Sequence, residues 1–255
     1  MKLSWETRAR VQFEGDAHVI EDACGFNGAT AWIIDGATTL LEPLGMPAAS
    51  DPQWLAQFLS MEFARLRDGW GTQAQIAAAL RAVDEQASVL VGGEHVRFPS
   101  AALSVATLNA DGVEVASLAD CTVVVRTDDG ATHLVRAELA DARVDAAADG
   151  NRAELLKRDR ELRNTPGRLW VARREPEAAD HAHVVQLGHP EQMVMATDGA
   201  WRAVDLGIVA GPEEFLERTG STVGTLELMS ELRRKQAEIS EVADDATVMT
   251  LVPRR

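Results

Sequence analysis

The chain has 255 residues, of which 46% are hydrophobic and 25% charged, a balance typical of globular proteins and not of disordered or fibrous ones. Its 25 basic and 40 acidic residues give a formal net charge of −15, which repels nucleic-acid backbones and anionic membrane surfaces. No apolar run approaches the roughly 18 residues that cross a bilayer, and two cysteines are too few for a disulfide framework. We therefore expect a cytoplasmic protein without nucleic-acid or membrane partners, folded as one domain over residues 1–255.

The first third of the chain alternates short apolar runs with turn signals. Two strands are predicted there, Leu3 to Phe13 and Ala29 to Ile34. Two helices follow. The first is predicted to begin at Asp51, with the aspartate as a side-chain cap and a proline in the first turn. The second is predicted to begin at Thr72, which forms a capping-box pattern with Gln75.

Short β-branched runs dominate the rest of the chain. They predict strands at Ala102 to Leu108, Val113 to Leu118, Thr122 to Arg126, Thr132 to Val135, Leu169 to Ala172, Ala182 to Leu187, Met193 to Thr197 and Ala246 to Val252. The short turns between the first four, such as Ala119 to Cys121, predict antiparallel neighbours. Ala146 to Arg163 and Thr222 to Ile239 are predicted helices. Strands grouped with strands favour an α+β fold, in which two antiparallel sheets face each other beneath helices on both outer faces.

Acidic residues lie at the edges of four of the apolar strands. The pairs are Glu21-Asp22, Asp35-Gly36, Asp198-Gly199 and Asp244-Asp245. Taken singly, an Asp-Gly pair after a strand is a common turn, and an aspartate before a strand is ordinary solvation. Taken as a set, carboxylates at several strand ends can converge on one point, where hard divalent cations find oxygen ligands. A glycine beside a ligand also lets the main-chain carbonyl approach an ion.

Five segments that contain these pairs form an ordered pattern along the chain. They are Ile20-Glu21-Asp22-Ala23, Ile33-Ile34-Asp35-Gly36-Ala37, Ala116-Ser117-Leu118-Ala119-Asp120-Cys121, Met195-Ala196-Thr197-Asp198-Gly199-Ala200-Trp201 and Asp244-Asp245-Ala246-Thr247. In this order they resemble the motifs of the metal-dependent protein phosphatases of type 2C, and the resemblance covers almost the whole chain. It implies an αββα sandwich that removes phosphate from serine or threonine in a phosphorylated protein with two Mg²⁺ or Mn²⁺ ions.

The same resemblance implies a role for most of the acidic residues. Asp35 matches the aspartate that bridges the two ions. Glu21 and the carbonyl of Gly36 match ligands of one ion, and Asp198 and Asp244 match ligands of the other. Together these positions predict the metal site.

The remaining motif residues extend the implied site. Asp22 matches a carboxylate that holds a metal-bound water, and Asp120 matches an aspartate implicated in a weaker third metal site. Asp245 replaces the family's usual asparagine and adds charge. Two such ions lower the pKa of a bridging water, so hydroxide attacks phosphorus without a covalent phosphoenzyme. Cys24 and Cys121 lack the neighbours of a catalytic thiol.

Two substrate-side groups of the family are missing from the pattern. Ala17 stands where the family places an arginine that grips phosphate, and Ala37 follows the Asp-Gly pair where many members have a histidine. Arg8, Arg10 and Arg202 are the predicted replacements for the arginine, with Arg10 the first choice. The alternative for each is a solvated surface arginine.

Other interpretations stay open at this point. His181 and His183 have the spacing of one strand face, and a zinc pair is the alternative to simple exposure. The missing groups leave two other functions besides a protein phosphatase: a catalytically weak relative that binds a phosphoprotein as a regulatory module, and a phosphatase of small molecules. We expect a monomer.

Overall fold

The computed structural model describes residues 3–38, 41–66, 69–137 and 158–254. In these ranges ten strands form two antiparallel five-stranded sheets. The strands are β1 (Trp5–Phe13), β2 (Ala23–Asn27), β3 (Thr30–Gly36), β4 (Ala101–Asn109), β5 (Gly112–Leu118), β6 (Thr122–Thr127), β7 (Thr132–Val135), β8 (His183–Leu187), β9 (Pro190–Ala196) and β10 (Ala246–Pro253). One sheet has the order β1-β10-β9-β6-β7, and the other has the order β2-β3-β4-β5-β8.

Helices cover the outer faces of both sheets. The α-helices are α1 (Asp51–Arg65), α2 (Thr72–Val91), α3 (Asp198–Asp205), α4 (Pro212–Arg218) and α5 (Thr222–Glu238), and Pro176–His181 is a 3₁₀-helix. Of the predicted helix Ala146 to Arg163, residues 146–157 lie outside the described ranges, and residues 158–162 are helical. Among the described helices, none combines the length and the hydropathy that crossing a membrane would need.

Three layers of buried apolar side chains hold this arrangement together. The alternation along β3 shows how: Trp32 and Ile34 pack toward α1 and α2, whereas Ala31 and Ile33 pack between the sheets. Successive strand residues point to opposite faces, so a strand buried on both faces is a continuous apolar run. The third layer joins the first sheet to α3, α4 and α5 around Phe215. The predicted α+β sandwich, with two antiparallel sheets between helices, is confirmed.

One predicted strand pairing is wrong. The short turn Ala119 to Cys121 was expected to make β5 and β6 neighbours, but β5 pairs with β4 and β8, and β6 pairs with β7 and β9 in the other sheet. Ala119 has a φ of 59°, in the left-handed region, as the chain leaves β5. A turn of this length serves a hairpin or a crossing between packed sheets, and only the packing of both strands decides which. Asp120 therefore lies in the connection that leads from one sheet to the other.

A second prediction is also wrong. Leu169 to Ala172 does not form a strand, since only Ala172 makes an isolated bridge, to Ala101. Asn164 occupies the backbone groups of this segment instead: its side chain accepts a hydrogen bond from Val171 N at 2.8 Å and donates to Val171 O at 3.1 Å. A side chain that pairs with the backbone in this way replaces the ladder of a neighbouring strand.

The predicted helix caps are displaced by one residue. Ser50, not Asp51, caps α1 by accepting a hydrogen bond from Gln53 N at 3.2 Å. The Asp51 carboxylate instead accepts from Leu44 N at 2.6 Å and Met46 N at 2.8 Å, and so fixes the loop before the helix.

The predicted capping box of α2 does not form. Gly71 is the N-cap and makes no side-chain hydrogen bond. Thr72 donates from both its backbone N and its Oγ1 to the Glu114 carboxylate on β5, each at 2.7 Å. Gln75 donates to Trp70 O and to Thr107 Oγ1. A tertiary contact with the sheet therefore replaces the local cap.

Candidate metal centre

The acidic residues of the sequence motifs come together at one edge of the sandwich. Antiparallel pairing puts the start of β2 beside the end of β3, because Ala23 pairs with Ile34. In the other sheet the end of β9 lies beside the starts of β6 and β10, because Ala196 pairs with Thr122 and Val248. The acidic residues at these ends are Glu21, Asp22, Asp35, Asp120, Asp198, Asp244 and Asp245.

Hydrogen bonds join the two sheets at this edge. Asp22 is buried, and its Oδ2 accepts from Thr197 Oγ1 at 3.1 Å. Thr197 in turn accepts from Thr247 N at 2.9 Å. Asp35 Oδ2 accepts from the backbone N of Asp198 at 3.3 Å. The carboxylates of the second sheet are thus held by residues that follow β9 in the first.

Burial and mutual repulsion disfavour the charged form of these carboxyl groups. Burial is the main cause of a pKa of about 8 for Asp22, with the charge of Asp245 adding to it. The pKa of Asp35 is raised well above its usual value by burial and then by the charges of Asp198, Asp22 and Asp120. Burial, with the charge of Asp120, raises the pKa of Asp198 to about 6. Clustered carboxylates of this kind favour either a proton or a cation among them.

The pKa values of two further carboxyl groups at the edge are raised as well. For Glu21 burial is the largest cause, opposed by a hydrogen bond from Ser50 Oγ to Glu21 Oε1 at 2.5 Å. For Asp244 burial is again the largest cause, and the charge of Asp245 adds to it. The positions predicted to bind metal therefore share one electrostatic environment.

Glycine is required where the strand ends meet. A Cβ at Gly36 would lie 2.5 Å from the Glu21 carbonyl oxygen, and one at Gly199 would lie 1.9 Å from the Asp245 carbonyl oxygen. Both glycines therefore allow the backbone beside Asp35 and Asp198 to pack closely against another acidic segment.

The donor chemistry of the edge fits a hard divalent cation, since its side chains offer carboxylate oxygens and their mutual repulsion would be relieved by positive charge. Within the described ranges, no three His, Cys, Asp or Glu side chains form a group compact enough to hold an ion. The edge therefore matches a divalent cation in its ligand type, its negative charge and the convergence of its strand ends. The described side chains do not form a complete coordination shell.

Comparisons with solved structures give the fold a name. The serine/threonine phosphatase PstP/Ppp of Mycobacterium tuberculosis superposes with a TM-score of 0.61 at 14% identity over 99% of each chain. The PstP catalytic domain in complex with two manganese ions gives 0.60 at 15% identity, over 100% of this chain and 99% of that one. The PPM phosphatase MsPP of Mycobacterium smegmatis, in complex with cacodylate, gives 0.56 at 15% identity, over 98% and 99%.

The chain has the fold of the PPM Ser/Thr phosphatases. Neither a protein-family profile nor the sequence of a curated protein matches it. The agreement with the PPM fold extends over the full length of the solved chains.

The Asp245 side chain binds backbone N–H groups at this edge of the PPM fold. Its Oδ1 accepts from Gly15 N at 2.8 Å, and its Oδ2 accepts from Glu21 N at 2.6 Å. The residue that departs from the family pattern therefore ties the segment carrying Glu21 to the start of β10.

The structure separates the three predicted phosphate-binding arginines. Arg10 lines an open groove of about 620 Å³ that also contains Asp22. Arg8 lines a different pocket and lies 3.8 Å from Glu6. Arg202 is held by Glu241, with Nη2 to Oε2 at 2.6 Å. Of these three arginines, Arg10 lines a pocket together with a motif carboxylate, Asp22.

The cysteines and the histidine pair lie in structural settings. Cys24 and Cys121 are buried, and burial raises the pKa of Cys24 to about 11 and that of Cys121 well above its usual value, so their thiolates are disfavoured.

His181 ends the 3₁₀-helix and stacks on Trp170 at a centroid distance of 3.6 Å, whereas His183 is exposed at the start of β8. The two histidines do not share one strand.

Sequence reasoning missed several residues that support this edge. Ser50 and Thr197 bind motif carboxylates, and Arg233 donates from Nη2 to Asp244 O at 2.6 Å. A signal existed for Ser50, because a serine before Asp-Pro is a favoured N-cap. Arg160 and Arg163 are also close enough to interact with the acidic residues at this edge, which we call the acidic cluster. No local sequence pattern predicts that position for either arginine.

Proposed function

We propose that the protein is a Mg²⁺- or Mn²⁺-dependent phosphatase that hydrolyses phosphoserine and phosphothreonine in proteins. The observation that carries this proposal is the set of motif carboxylates, from the strand ends of both sheets, around the half-buried Asp35 in a PPM fold. Their mutual repulsion supports a site for cations, and a solved PPM structure, PstP, is a complex with two manganese ions.

We assign the cation ligands by position around Asp35. Glu21 and the carbonyl of Gly36 would hold one ion, Asp198 and Asp244 would hold the other, and Asp35 would bridge them. Asp120, in the crossing between the sheets, is the candidate for a third ion. Bound divalent cations at such a site neutralise phosphate and lower the pKa of water.

Side chains of this protein would orient the attacking water molecule. The Asp22 carboxylate is held by the Thr197 hydroxyl, which donates to Oδ2 at 3.1 Å, and by the Thr247 side chain, so it has a fixed position from which to orient a water molecule. With both cysteines buried and their thiol pKa values raised, no described thiol competes with water as the nucleophile. The proposed reaction is therefore direct hydrolysis, without a phosphorylated enzyme.

The groove beside Asp22 supports a protein substrate over a small one. It runs between α1 and the first strands and has a volume of about 620 Å³. Phe26 and Met61 line it and are each 40% exposed, so apolar surface is available to an extended peptide beside the acidic cluster.

Hydrolysis assays test the proposal. Metal-stripped protein should be inactive toward an aryl phosphate and a phosphoserine peptide, and Mn²⁺ or Mg²⁺ should restore turnover of both. Higher kcat/KM on sugar or nucleotide phosphates than on the peptide would favour a small-molecule phosphatase. Tight binding of the cation and the phosphopeptide with no turnover would favour a regulatory binding module.

A further inference from the structure

Two arginines border the acidic cluster beside the end of β3. Arg160 donates from Nη1 to Ala37 O at 3.2 Å and also to the Thr38 carbonyl, directly after Asp35 and Gly36. Arg163 donates from Nη1 to Ser100 Oγ at 2.5 Å. Ser100 O accepts from Ala37 N at 2.9 Å. Arg160 is therefore anchored to the backbone after β3, and Arg163 is anchored to the Ser100 side chain in the segment that pairs with it.

The guanidinium group of Arg160 keeps a donor without a partner among the residues that the structure describes. Its Nε atom is buried and makes no hydrogen bond there. The side chain of Arg163 is only 11% exposed, and Asp159 lies 3.5 Å from its Nε as an ion pair. A guanidinium has five N–H donors in a planar fork, so each of these side chains can still bind an anion.

Three arginines, Arg160, Arg163 and Arg173, lie close together beside the end of β3. The pKa of Arg160 is lowered to about 10 by burial and then by the charge of Arg163. Arg173 is 3% exposed, donates from Nη1 to Arg160 O at 3.5 Å, and has its own pKa lowered by burial and, among nearby charges, by Arg163. Buried like charges are costly, and an anion between them would relieve that cost.

The charges of the acidic cluster also act on these arginines. Arg160 interacts electrostatically with Glu21, and Arg163 interacts with Asp120. A small pocket beside Ala37 is lined by Arg160 and Arg173. A phosphate group at the candidate metal centre would therefore have positive charge from cations on one side and guanidinium groups on the other.

We infer that Arg160 and Arg163 bind the phosphate group of the substrate, and inorganic phosphate as the product, at the edge of the acidic cluster. This inference rests on the proposed phosphatase function. It assigns the phosphate contacts to Arg160, in the helical turn 158–162, and to Arg163, directly after it, and not to Arg8, Arg10 or Arg202.

The competing role for these arginines is structural. They would then act only as counter-ions of Glu21 and Asp120 and would not touch substrate. The two roles predict opposite effects of an arginine deletion: loss of phosphate affinity in one case, and tighter cation binding with unchanged phosphate affinity in the other.

Calorimetric titration of the Mg²⁺-loaded full chain with inorganic phosphate tests the inference without depending on turnover. Arg160→Ala and Arg163→Ala should each weaken phosphate binding about tenfold, the effect of losing one charge-assisted hydrogen bond. Arg160→Lys should recover part of the loss, because it keeps the charge but not the planar fork. Arg158→Ala is the matched control, because Arg158 is exposed in the same helical segment and its removal changes the net charge equally.

Kinetics supply the second readout. In the two alanine variants the Michaelis constant for an aryl phosphate and the inhibition constant for phosphate should rise together when both are measured at saturating Mn²⁺. Unchanged phosphate affinity in both alanine variants, equal loss in Arg158→Ala, or a lower Mn²⁺ midpoint with unchanged phosphate affinity would overturn the inference. If the wild type hydrolyses no phosphomonoester, the proposed function fails, and the calorimetric comparison still decides whether these arginines bind phosphate.

Circular dichroism and thermal unfolding establish that each variant is folded. If an alanine variant does not fold, Arg160→Gln and Arg163→Gln keep most of the side-chain volume and provide the same comparison. Wild-type phosphate affinity in both folded glutamine variants would equally overturn the inference.

Discussion

Thr197 Oγ1 donates a hydrogen bond to Asp22 Oδ2 at 3.1 Å, and this contact joins the two sheets at the acidic edge. Thr197 follows β9 in one sheet, and Asp22 precedes β2 in the other. Thr197 also accepts from Thr247 N, so one hydroxyl positions a motif carboxylate and satisfies a buried backbone donor. Thr197 thus helps to align the two halves of the site, together with the hydrogen bonds from Asp198 N to Asp35 and from Glu21 N to Asp245.

Thr197→Val keeps the side-chain volume but removes both hydrogen bonds. We expect it to lower the free energy of unfolding by about 1–3 kcal/mol, because the buried Thr247 N–H loses its acceptor. It should also reduce kcat. Urea denaturation and steady-state kinetics measure the two effects, and Thr197→Ser, which keeps the hydroxyl, is the control. Equal stability of the valine and serine variants would contradict the coupling.

The stability of the metal-free protein should depend on pH in a defined direction. Burial raises the pKa of Asp22 from 3.8 to about 8 in the folded state, so the unfolded state loses its proton first as pH rises. The contribution of Asp22 to folding stability is therefore fully present below about pH 4 and is lost as pH rises toward about 8. Chemical denaturation across this window measures the slope. Asp22→Asn should flatten it, and an unchanged slope in that variant would assign the titration to other groups.

Asp35→Asn should abolish turnover and leave the fold intact. Asp35 lies at the end of β3 with Asp198, Asp22 and Asp120 as its charged neighbours, so removing its charge lowers repulsion in the metal-free protein. We expect kcat to fall by about a hundredfold or more at saturating Mn²⁺. The matched control is Asp111→Asn, in the exposed turn between β4 and β5. Near wild-type activity of Asp35→Asn would refute the two-metal assignment.

Divalent cations should stabilise the folded chain. A ligand that binds only the native state at about one hundred times its Kd adds about 2.7 kcal/mol, which corresponds to roughly 5–10 °C in Tm for a domain of this size. Thermal unfolding of stripped protein with Mn²⁺, with Mg²⁺ and with chelator gives the comparison. Asp35→Asn should show a reduced shift. The absence of any shift with either ion in wild type would count against a preformed site.

Arg10→Ala should separate peptide recognition from phosphate recognition. Arg10 lines the groove beside Asp22, whereas Arg160 and Arg163 adjoin Ala37 and Ser100. We expect the KM for an acidic phosphopeptide to rise by roughly threefold, as for one exposed charge contact, and the KM for an aryl phosphate to stay unchanged. Arg8→Ala is the control on the same strand. A parallel increase for both substrates would place Arg10 at the phosphate itself.

Much of the fold could be predicted from the sequence because the strands are buried on one or both faces. Most of the predicted strands lie within two residues of the observed bounds, and β9 begins three residues earlier than predicted. The acidic motif residues were identified for a related reason. Charged residues directly beside long apolar runs, such as Asp35 after Ile34, are visible without knowledge of the tertiary structure.

The sequence by itself determined the sandwich class, since periodicity and turn chemistry are local properties of the chain, and it predicted the carboxylates of the candidate site. Only the tertiary structure decided that β5 and β6 lie in different sheets, that Asp245 holds the Glu21 backbone, and that Arg160 lies beside Ala37. These contacts join segments far apart in the chain. Their partners are chosen by how two sheets and their helices pack, and no short-range pattern encodes that choice.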